Sequence, residues 1–241
     1  MNRWITAAVV VLCCVLPGAS SARTRSARFS RARAWQGEAQ RFRAAPGEWP
    51  RREVLDVAMR AYRCGRAEGQ FDSSILTVID YSLPSTEKRL WVIDLAKRRI
   101  LFHELVAHGQ NSGEAYAVDF SNRPGSRQSS LGLFRTDNVY AGQHGESLRL
   151  IGLEPGINDL AEERRIVMHG AAYVNPRVVE VLGQLGRSWG CPAVDRAVFP
   201  HILRHIKEGT ALFAYYPDPR WLRQSRFLQC DANSRPSRRA G

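Results

Sequence analysis

The chain of 241 residues has few cysteines. Five occur, at positions 13, 14, 64, 191 and 230, and no two form a C-x-x-C pair, which argues against a structural zinc site. No helix-turn-helix, zinc-knuckle or RNP pattern is present. Nucleic acid is therefore not indicated as a partner, although 35 Lys and Arg against 23 Asp and Glu leave a formal charge of +12. Internal repeats are absent, which excludes solenoids and propellers. The H-E-x-x-H spacing of zinc peptidases is missing too. In "HELVAH" the imidazoles of His103 and His108 stand five residues apart. In a strand, that odd spacing sends them to opposite faces, so both are read as ordinary strand histidines and no metal is expected.

What is present bounds the class. Hydrophobic residues make up 44% and charged residues 24%, enough for a folded body with its own core. The excess charge gathers at the ends, from Arg23 to Arg43 and from Arg220 to Arg239. Such runs read as solvated tails with weak attraction to a polyanion such as an anionic cell envelope. Residues 1–22 combine Arg3, a twelve-residue apolar stretch at 5–16 and the small residues Ala19 to Ala22. This is the three-part pattern of a secretory signal peptide, with an apolar part too short for a comfortable membrane span. The organisation expected is a signal peptide at 1–22, a basic linker at 23–48, a catalytic body at 49–220 and a basic tail at 221–241. Export implies an oxidising compartment, the periplasm or cell envelope. Removing the signal leaves Cys64, Cys191 and Cys230, an odd number. Cys64 and Cys230, at the two ends of the body, are the plausible disulfide, and Cys191 remains over.

The body alternates short strands and a few helices. Val54, Leu55, Ala58, Met59 and Tyr62 have helical spacing, which predicts an amphipathic helix over 51–64. "RLWVIDL" and "RILFHELVAH" flank Ala96-Lys97-Arg98 as a hairpin. Further strands are expected at 75–82, 129–136, 147–154, 164–174 and 211–216. "NPRVVEVLGQLG" reads as a short helix entering a glycine loop. A helix over 197–209 is expected to take Asp195 as N-cap and Gly209 as its stop. The fold class is β-rich α+β.

"GRSWGCP" (186–192) holds two candidate nucleophiles. Gly186 to Gly190 matches the G-x-S-x-G elbow of serine hydrolases. That elbow needs a strand before it and Asp then His on separate loops after it. Here a helix precedes it, and Asp195, His201 and His205 crowd one short segment. Ser188 is therefore read as a supporting residue. Cys191, the leftover thiol in a glycine-flanked loop, needs a base within hydrogen-bond reach. His169, before Gly170 at the end of a hydrophobic strand, is placed to project toward a neighbouring loop.

The blocks "DFSNRPGSRQSSLGLFRT", "YAGQHGESLRLIGLE", Asn158-Asp159, "RRIVMHGAAYV" and "GRSWGCPAV" together resemble the secreted L,D-transpeptidase family, in the branch of murein L,D-transpeptidase catalytic domains. The likeness runs from about residue 54 to about residue 216. It implies a sandwich-like β domain, a cysteine nucleophile at Cys191 within Ser188-Trp189-Gly190-Cys191, and a histidine base at His169. It further implies an exported cysteine acyltransferase that cross-links peptidoglycan stem peptides through a thioester, without cofactor or metal, and that carbapenems acylate. The bond attacked would follow diaminopimelate or the first-position L-Ala, with a diaminopimelate amine as acceptor. Two departures stand out: Trp189 occupies the place of a second histidine, and Pro192-Ala193-Val194 replaces a stretch bearing an arginine. Arg187 is the candidate to take over carboxylate binding. Backbone N–H groups at Gly190 and Cys191 are candidates for an oxyanion hole, and Trp189, Tyr173, Asn122 and Ser130 are candidate substrate contacts. The alternatives are a cysteine carboxypeptidase or endopeptidase on the same stems and a non-catalytic wall-binding module.

Overall fold

The computed structural model describes residues 48–143 and 145–230. The expected signal peptide and the linker up to residue 47 lie outside these residues, as does the tail from 231 onward. Apolar spacing produces the first helix, α1 (Arg52–Ala67), which buries Val54, Leu55, Ala58, Met59, Ala61 and Tyr62 on one face. Strands β1 (Ile75–Asp80), β2 (Leu90–Asp94) and β3 (Arg99–Glu104) follow. The β2–β3 hairpin turns through Arg98, which takes φ 50°. Next come β4 (Gly132–Gly142), β5 (Gly145–Gly152), β6 (Val167–Ala171), α2 (Pro176–Leu182), β7 (Ala193–Asp195), α3 (Phe199–Ile206) and β8 (Ala211–Tyr215). The Asn175 side chain caps α2, and Gly183 ends it in the left-handed region.

The eight strands form one sheet in the order β3-β2-β1-β8-β4-β5-β6-β7. β1 runs parallel to β8 and β6 parallel to β7, and the other neighbours are antiparallel. Central strands β1 and β8 are buried almost throughout, with α1 packed on β8. The sheet curls until its two ends meet. Just past β3, Ala107 bridges Ala193 of β7, its N–H donating at 2.8 Å and its carbonyl accepting at 3.4 Å. A second bridge joins Gly109 to Ser188. The architecture is a strand-rich, nearly closed sheet with few helices, in agreement with the expected class.

Three expectations are corrected. The helix over 197–209 is shorter, α3 covering Phe199–Ile206. Asp195 does not cap it; its carboxylate accepts the Ala197 N–H at 2.6 Å in the preceding turn. The basic tail starts later than residue 221. Helices α4 (Pro219–Gln224) and α5 (Arg226–Gln229) bury Trp221, Phe227 and Leu228 and leave the arginines outside. The Trp221 indole donates to the buried Glu154 carboxylate, and Cys230 forms the disulfide with Cys64 over a Cα–Cα distance of 6.2 Å. Arg226 pairs with Glu68 alongside. Cys191 stays free, as expected.

The third correction concerns His108, which lies beyond β3 and is 1% exposed. Arg89, wholly buried, donates to the Leu83 and Val106 carbonyls and, at 2.7 Å, to His108 Nδ1. A guanidinium only donates, so Nδ1 is the acceptor and Nε2 carries the proton, pointing to the Gly113 carbonyl at 3.3 Å. Burial and then the Arg89 charge hold the ring down to about 4. Burial likewise lowers Arg89 to about 10. His103, by contrast, is an ordinary strand histidine stacked on Trp91.

Two outcomes follow for stability. The disulfide closes a loop of 166 residues, so Cys230→Ser should lower stability by about 2–5 kcal/mol in urea melts. Equal stability of wild type and variant without reductant would contradict a structural role. The neutral His108 contributes stability that is complete above its unfolded value near 6.5 and lost as pH falls through about 4. That loss is on the order of 3 kcal/mol. His108→Gln should flatten this part of the stability profile between pH 7 and 4, read as the difference between variant and wild-type melts.

Candidate active site

Register places His169 opposite Ala193 across the parallel β6–β7 pair. Carried two residues back, it sets Cys191 beside Val167, whose N–H reaches the Cys191 sulfur at 3.5 Å. The thiol lies 3.7 Å from the Arg165 carbonyl. Val167 and His169 point to the same face of β6, two residues apart. Across β5, Ser147 pairs with His169 and Arg149 with Val167, and Tyr140 of β4 pairs with Ser147. Paired residues share a face, so Tyr140, Arg149, Val167 and His169 line one side of the sheet. A cleft of about 340 Å³ opens there, lined by Tyr140, Arg149, Glu162, Arg165, Ile166 and Val167. Arg149 stacks over the Tyr140 ring at 5.0 Å.

His169 is 1% exposed, and its Nδ1 lies 3.2 Å from the Gly170 carbonyl. A carbonyl only accepts, so Nδ1 carries the proton in that contact and Nε2 holds the lone pair. Burial pushes the Cys191 thiol up, while the Val167 N–H and the Arg164 charge pull it back. Burial also raises Tyr173 to about 12, and the charge of Cys191 adds to the rise.

Ser188 is a strut of the loop. Its hydroxyl donates to the Cys191 carbonyl at 2.6 Å and accepts the Gly190 N–H at 3.1 Å. Its backbone is clamped as well, with its N–H on the His108 carbonyl and its own carbonyl holding Gln110 N–H. It therefore braces the turn rather than orienting His169. The same geometry corrects the role expected of Gly190, whose N–H is directed to Ser188 instead of facing an oxyanion. Glycine is nonetheless required at 190. The φ is +119°, and a Cβ would stand 2.7 Å from the Gln128 carbonyl. At Gly109 a Cβ would fall 2.8 Å from the Gly190 Cα, so the two loops touch backbone to backbone.

The other expected contacts are scattered. Arg187 pairs with Glu114 at 2.8 Å and donates to the Gly113 carbonyl, which commits its guanidinium to the 110–114 loop. Asn122 donates to Asp159 and accepts from Leu160 N–H, bracing a separate loop. Ser130 donates to the Ser121 carbonyl and accepts from Arg164. Trp189 is 70% exposed beneath the Arg127 guanidinium.

Sequence reasoning missed Arg164. It donates to Ser121 and Gln128 carbonyls and to Ser126 and Ser130 hydroxyls, tying the 121–130 segment together at the back of Gly190. Its charge acts on Cys191. The signal lay in "RRIVMHG", where the two arginines read as the start of a strand. Arg165 follows in the left-handed region, φ 55°, a sparsely populated conformation for a residue with a side chain.

The fold and this site define a strand-built domain with, among the described residues, one free cysteine set against Val167, a residue that also lines a cleft bearing two arginines. The L,D-transpeptidase catalytic domain model matches residues 48–215, and the chain belongs to that family. Comparison with curated proteins found no match. Among solved structures, the chain is similar to an L,D-transpeptidase from Mycobacterium smegmatis, at 12% identity and TM-score 0.37, over 60% of this chain and 59% of that one. It is also similar to the helical cell shape determining protein of Campylobacter jejuni, at 11% and 0.40, over 70% and 58%. A third is an L,D-transpeptidase from Stackebrandtia nassauensis, at 10% and 0.35, over 77% and 92%. The chain spans about three-fifths of the length of the first two. Among the described residues, no helix is long and apolar enough to cross a membrane.

A raised thiol loses its proton late, so alkylation of Cys191 by iodoacetamide should keep climbing above the ordinary thiol midpoint of about 8.5. Arg164→Met removes the opposing charge. It should move the profile further alkaline and slow alkylation at pH 7 about threefold to tenfold. The rate is read on the Cys191 peptide by mass spectrometry; a variant profile shifted toward acid would refute the electrostatic role.

Proposed function

We propose that the protein is an exported cysteine acyltransferase that cross-links peptidoglycan stem peptides in the periplasm or cell envelope. Membership of the L,D-transpeptidase catalytic domain family supports the peptidoglycan-directed class of reaction. The observation that carries the cysteine mechanism is the adjacency of Cys191 and Val167, which puts the free thiol two strand residues from His169, with Arg149 and Arg165 in the cleft alongside. Stem peptides carry several carboxylates, and two cleft arginines against Glu162 suit them. The Cys64–Cys230 disulfide and the expected signal peptide support export.

In the proposed mechanism Nε2 of His169, left with the lone pair by the Nδ1 contact to Gly170, takes the Cys191 proton as substrate docks. The thiolate attacks a stem carbonyl, one C–S bond forms and the carbonyl π pair moves to oxygen. The Cys191 N–H is the backbone donor assigned to that oxyanion in this mechanism. Collapse breaks the C–N bond, and the imidazolium gives its proton to the departing amine. The resulting thioester is attacked by an acceptor amine, whose proton passes to His169 as the C–S bond breaks. The donor bond follows either diaminopimelate or the first-position L-Ala, and the acceptor is the diaminopimelate side-chain amine. Water in place of the amine would make the same site a carboxypeptidase or endopeptidase.

Purified protein incubated with isolated sacculi, followed by mass spectrometry of the muropeptides, tests this reading. New dimers joined through an L-centre carbonyl are expected, and only trimmed stems would turn the assignment to hydrolysis. Cys191→Ala should abolish product and any carbapenem adduct, and His169→Gln should reduce product at least about 10²-fold. Ser188→Ala should weaken the rate by about 5- to 100-fold through loosening of the turn. An adduct that persists in Cys191→Ala and disappears in Ser188→Ala would reverse the choice of nucleophile.

A further inference from the structure

Trp189 has no packing reason to be where it is. Its neighbours Ser188 and Gly190 are buried, yet its own side chain is 70% exposed, two positions from Cys191. A large aromatic left in water on the rim of a site marks a contact surface. Its setting is specific. The Arg127 guanidinium stacks over the indole at 4.8 Å, and Arg127 is held at φ 54°, in the left-handed region. The Arg127 carbonyl accepts Asn111 N–H. Asn111 Nδ2 donates to the Ser126 carbonyl and Gln128 Nε2 to the Asn111 carbonyl. Each amide thus commits one N–H to the loop and keeps a carbonyl oxygen and a second N–H for other partners. The result is an exposed indole with the Arg127 guanidinium over one face, carried beside a loop whose amides keep polar atoms for other partners.

We infer that this platform holds the sugar of the glycan strand, an N-acetylated pyranose, while the attached stem peptide enters the cleft. A pyranose presents an apolar face of axial C–H bonds and an equatorial rim of hydroxyl and acetamido groups, which suits the exposed indole face opposite Arg127 and the guanidinium donors beside it. Reach agrees. Trp189 and Cys191 are two residues apart, at most about 7 Å along the chain, and a stem segment of one to three residues spans at most about 4–11 Å. Either donor bond therefore leaves the sugar within range of the indole. Arg127 and Trp189 also supply what the bare peptide lacks, a second anchor that fixes the direction in which the stem crosses Cys191. This inference rests on the peptidoglycan reading for its biological setting, but its binding chemistry stands separately.

Calorimetric titration of the full chain with peptide-free glycan strands, and with an N-acetylglucosamine tetrasaccharide, tests it. Binding is expected for wild type, weakened at least tenfold in Trp189→Ala, partly retained in Trp189→Phe and weakened severalfold in Arg127→Ala. Because the indole is exposed, its removal leaves the core packing in place. No binding by wild type, or equal binding by Trp189→Ala, overturns the platform. The second measurement is the ratio of kcat/KM for disaccharide-linked stem over free stem. It should be near tenfold for wild type and near one for Trp189→Ala. Wild type that uses both substrates equally well refutes the platform and leaves the transpeptidase reading intact. Glycan binding through Trp189 without turnover of either substrate refutes that reading and leaves the platform standing.

Discussion

The closure of the sheet at Ala107 and Ala193 is the constraint on which the site depends. An eight-stranded sheet with two open edges would leave β7, three residues long, as a frayed margin. Two backbone hydrogen bonds to Ala107 pair it on its second side. The Gly109–Ser188 bridge then extends the seam into the loop that carries Cys191. The cysteine thus emerges from a stretch of chain held from both flanks, β6 on one side and the 107–110 segment on the other. Such bracing is what the proposed nucleophile would need if it is to be held to within about half an ångström. It also accounts for the glycines at 109 and 190, since the two backbones meet where any Cβ would intrude.

Beneath that seam lies a buried cation. The Arg89 guanidinium is solvated by the carbonyls of Leu83 and Val106 and by a neutral His108. Burying a charge this way is costly unless each donor finds an acceptor. The arrangement ties the β1–β2 connection, the segment after β3 and, through the His108 carbonyl, Ser188 into one unit. Tyr81 packs against the guanidinium at 5.3 Å. The core and the loop that carries Cys191 are therefore coupled by polar contacts and not by apolar packing alone, so the loop's geometry is specified along with the fold.

Local periodicity makes the strands, the hairpin and α1 legible in the sequence, because each pattern is written within a dozen residues. The pairing of Cys64 with Cys230 is legible from parity and compartment. What escapes a sequence reading depends on partners far away along the chain. Arg89 and His108 are 19 residues apart and meet only because β2 and the segment after β3 are neighbours. Arg164 meets Ser121, Ser126 and Ser130 across some 40 positions. Arginine-rich composition past residue 220 masks the spacing of Trp221, Phe227 and Leu228, whose burial depends on Glu154 and on the disulfide. Asn122, Ser130 and Arg187 suggest themselves as substrate contacts by residue type, and each is instead committed to a loop partner.

The raised thiol is intelligible once the proposed compartment and mechanism are taken together. In an oxidising setting the species at risk is the thiolate, which attacks disulfides and is itself oxidised. Locking Cys64 and Cys230 together removes two cysteines from that chemistry, and burial of Cys191 suppresses the reactive form of the third. The consequence is a thiol whose ionised form is disfavoured at rest. Under the proposed mechanism the proton must then leave at the moment of attack, which demands a base of fixed tautomer beside the sulfur. If His169 is that base, its Nδ1 contact to the Gly170 carbonyl is what would fix its tautomer. Arg164, held by four acceptors and unable to swing away, lowers the energy of the charge that appears on sulfur without drawing it out beforehand. On the proposed mechanism, the surroundings that disfavour the thiolate at rest and the Arg164 charge that favours it act on the same sulfur in opposite senses.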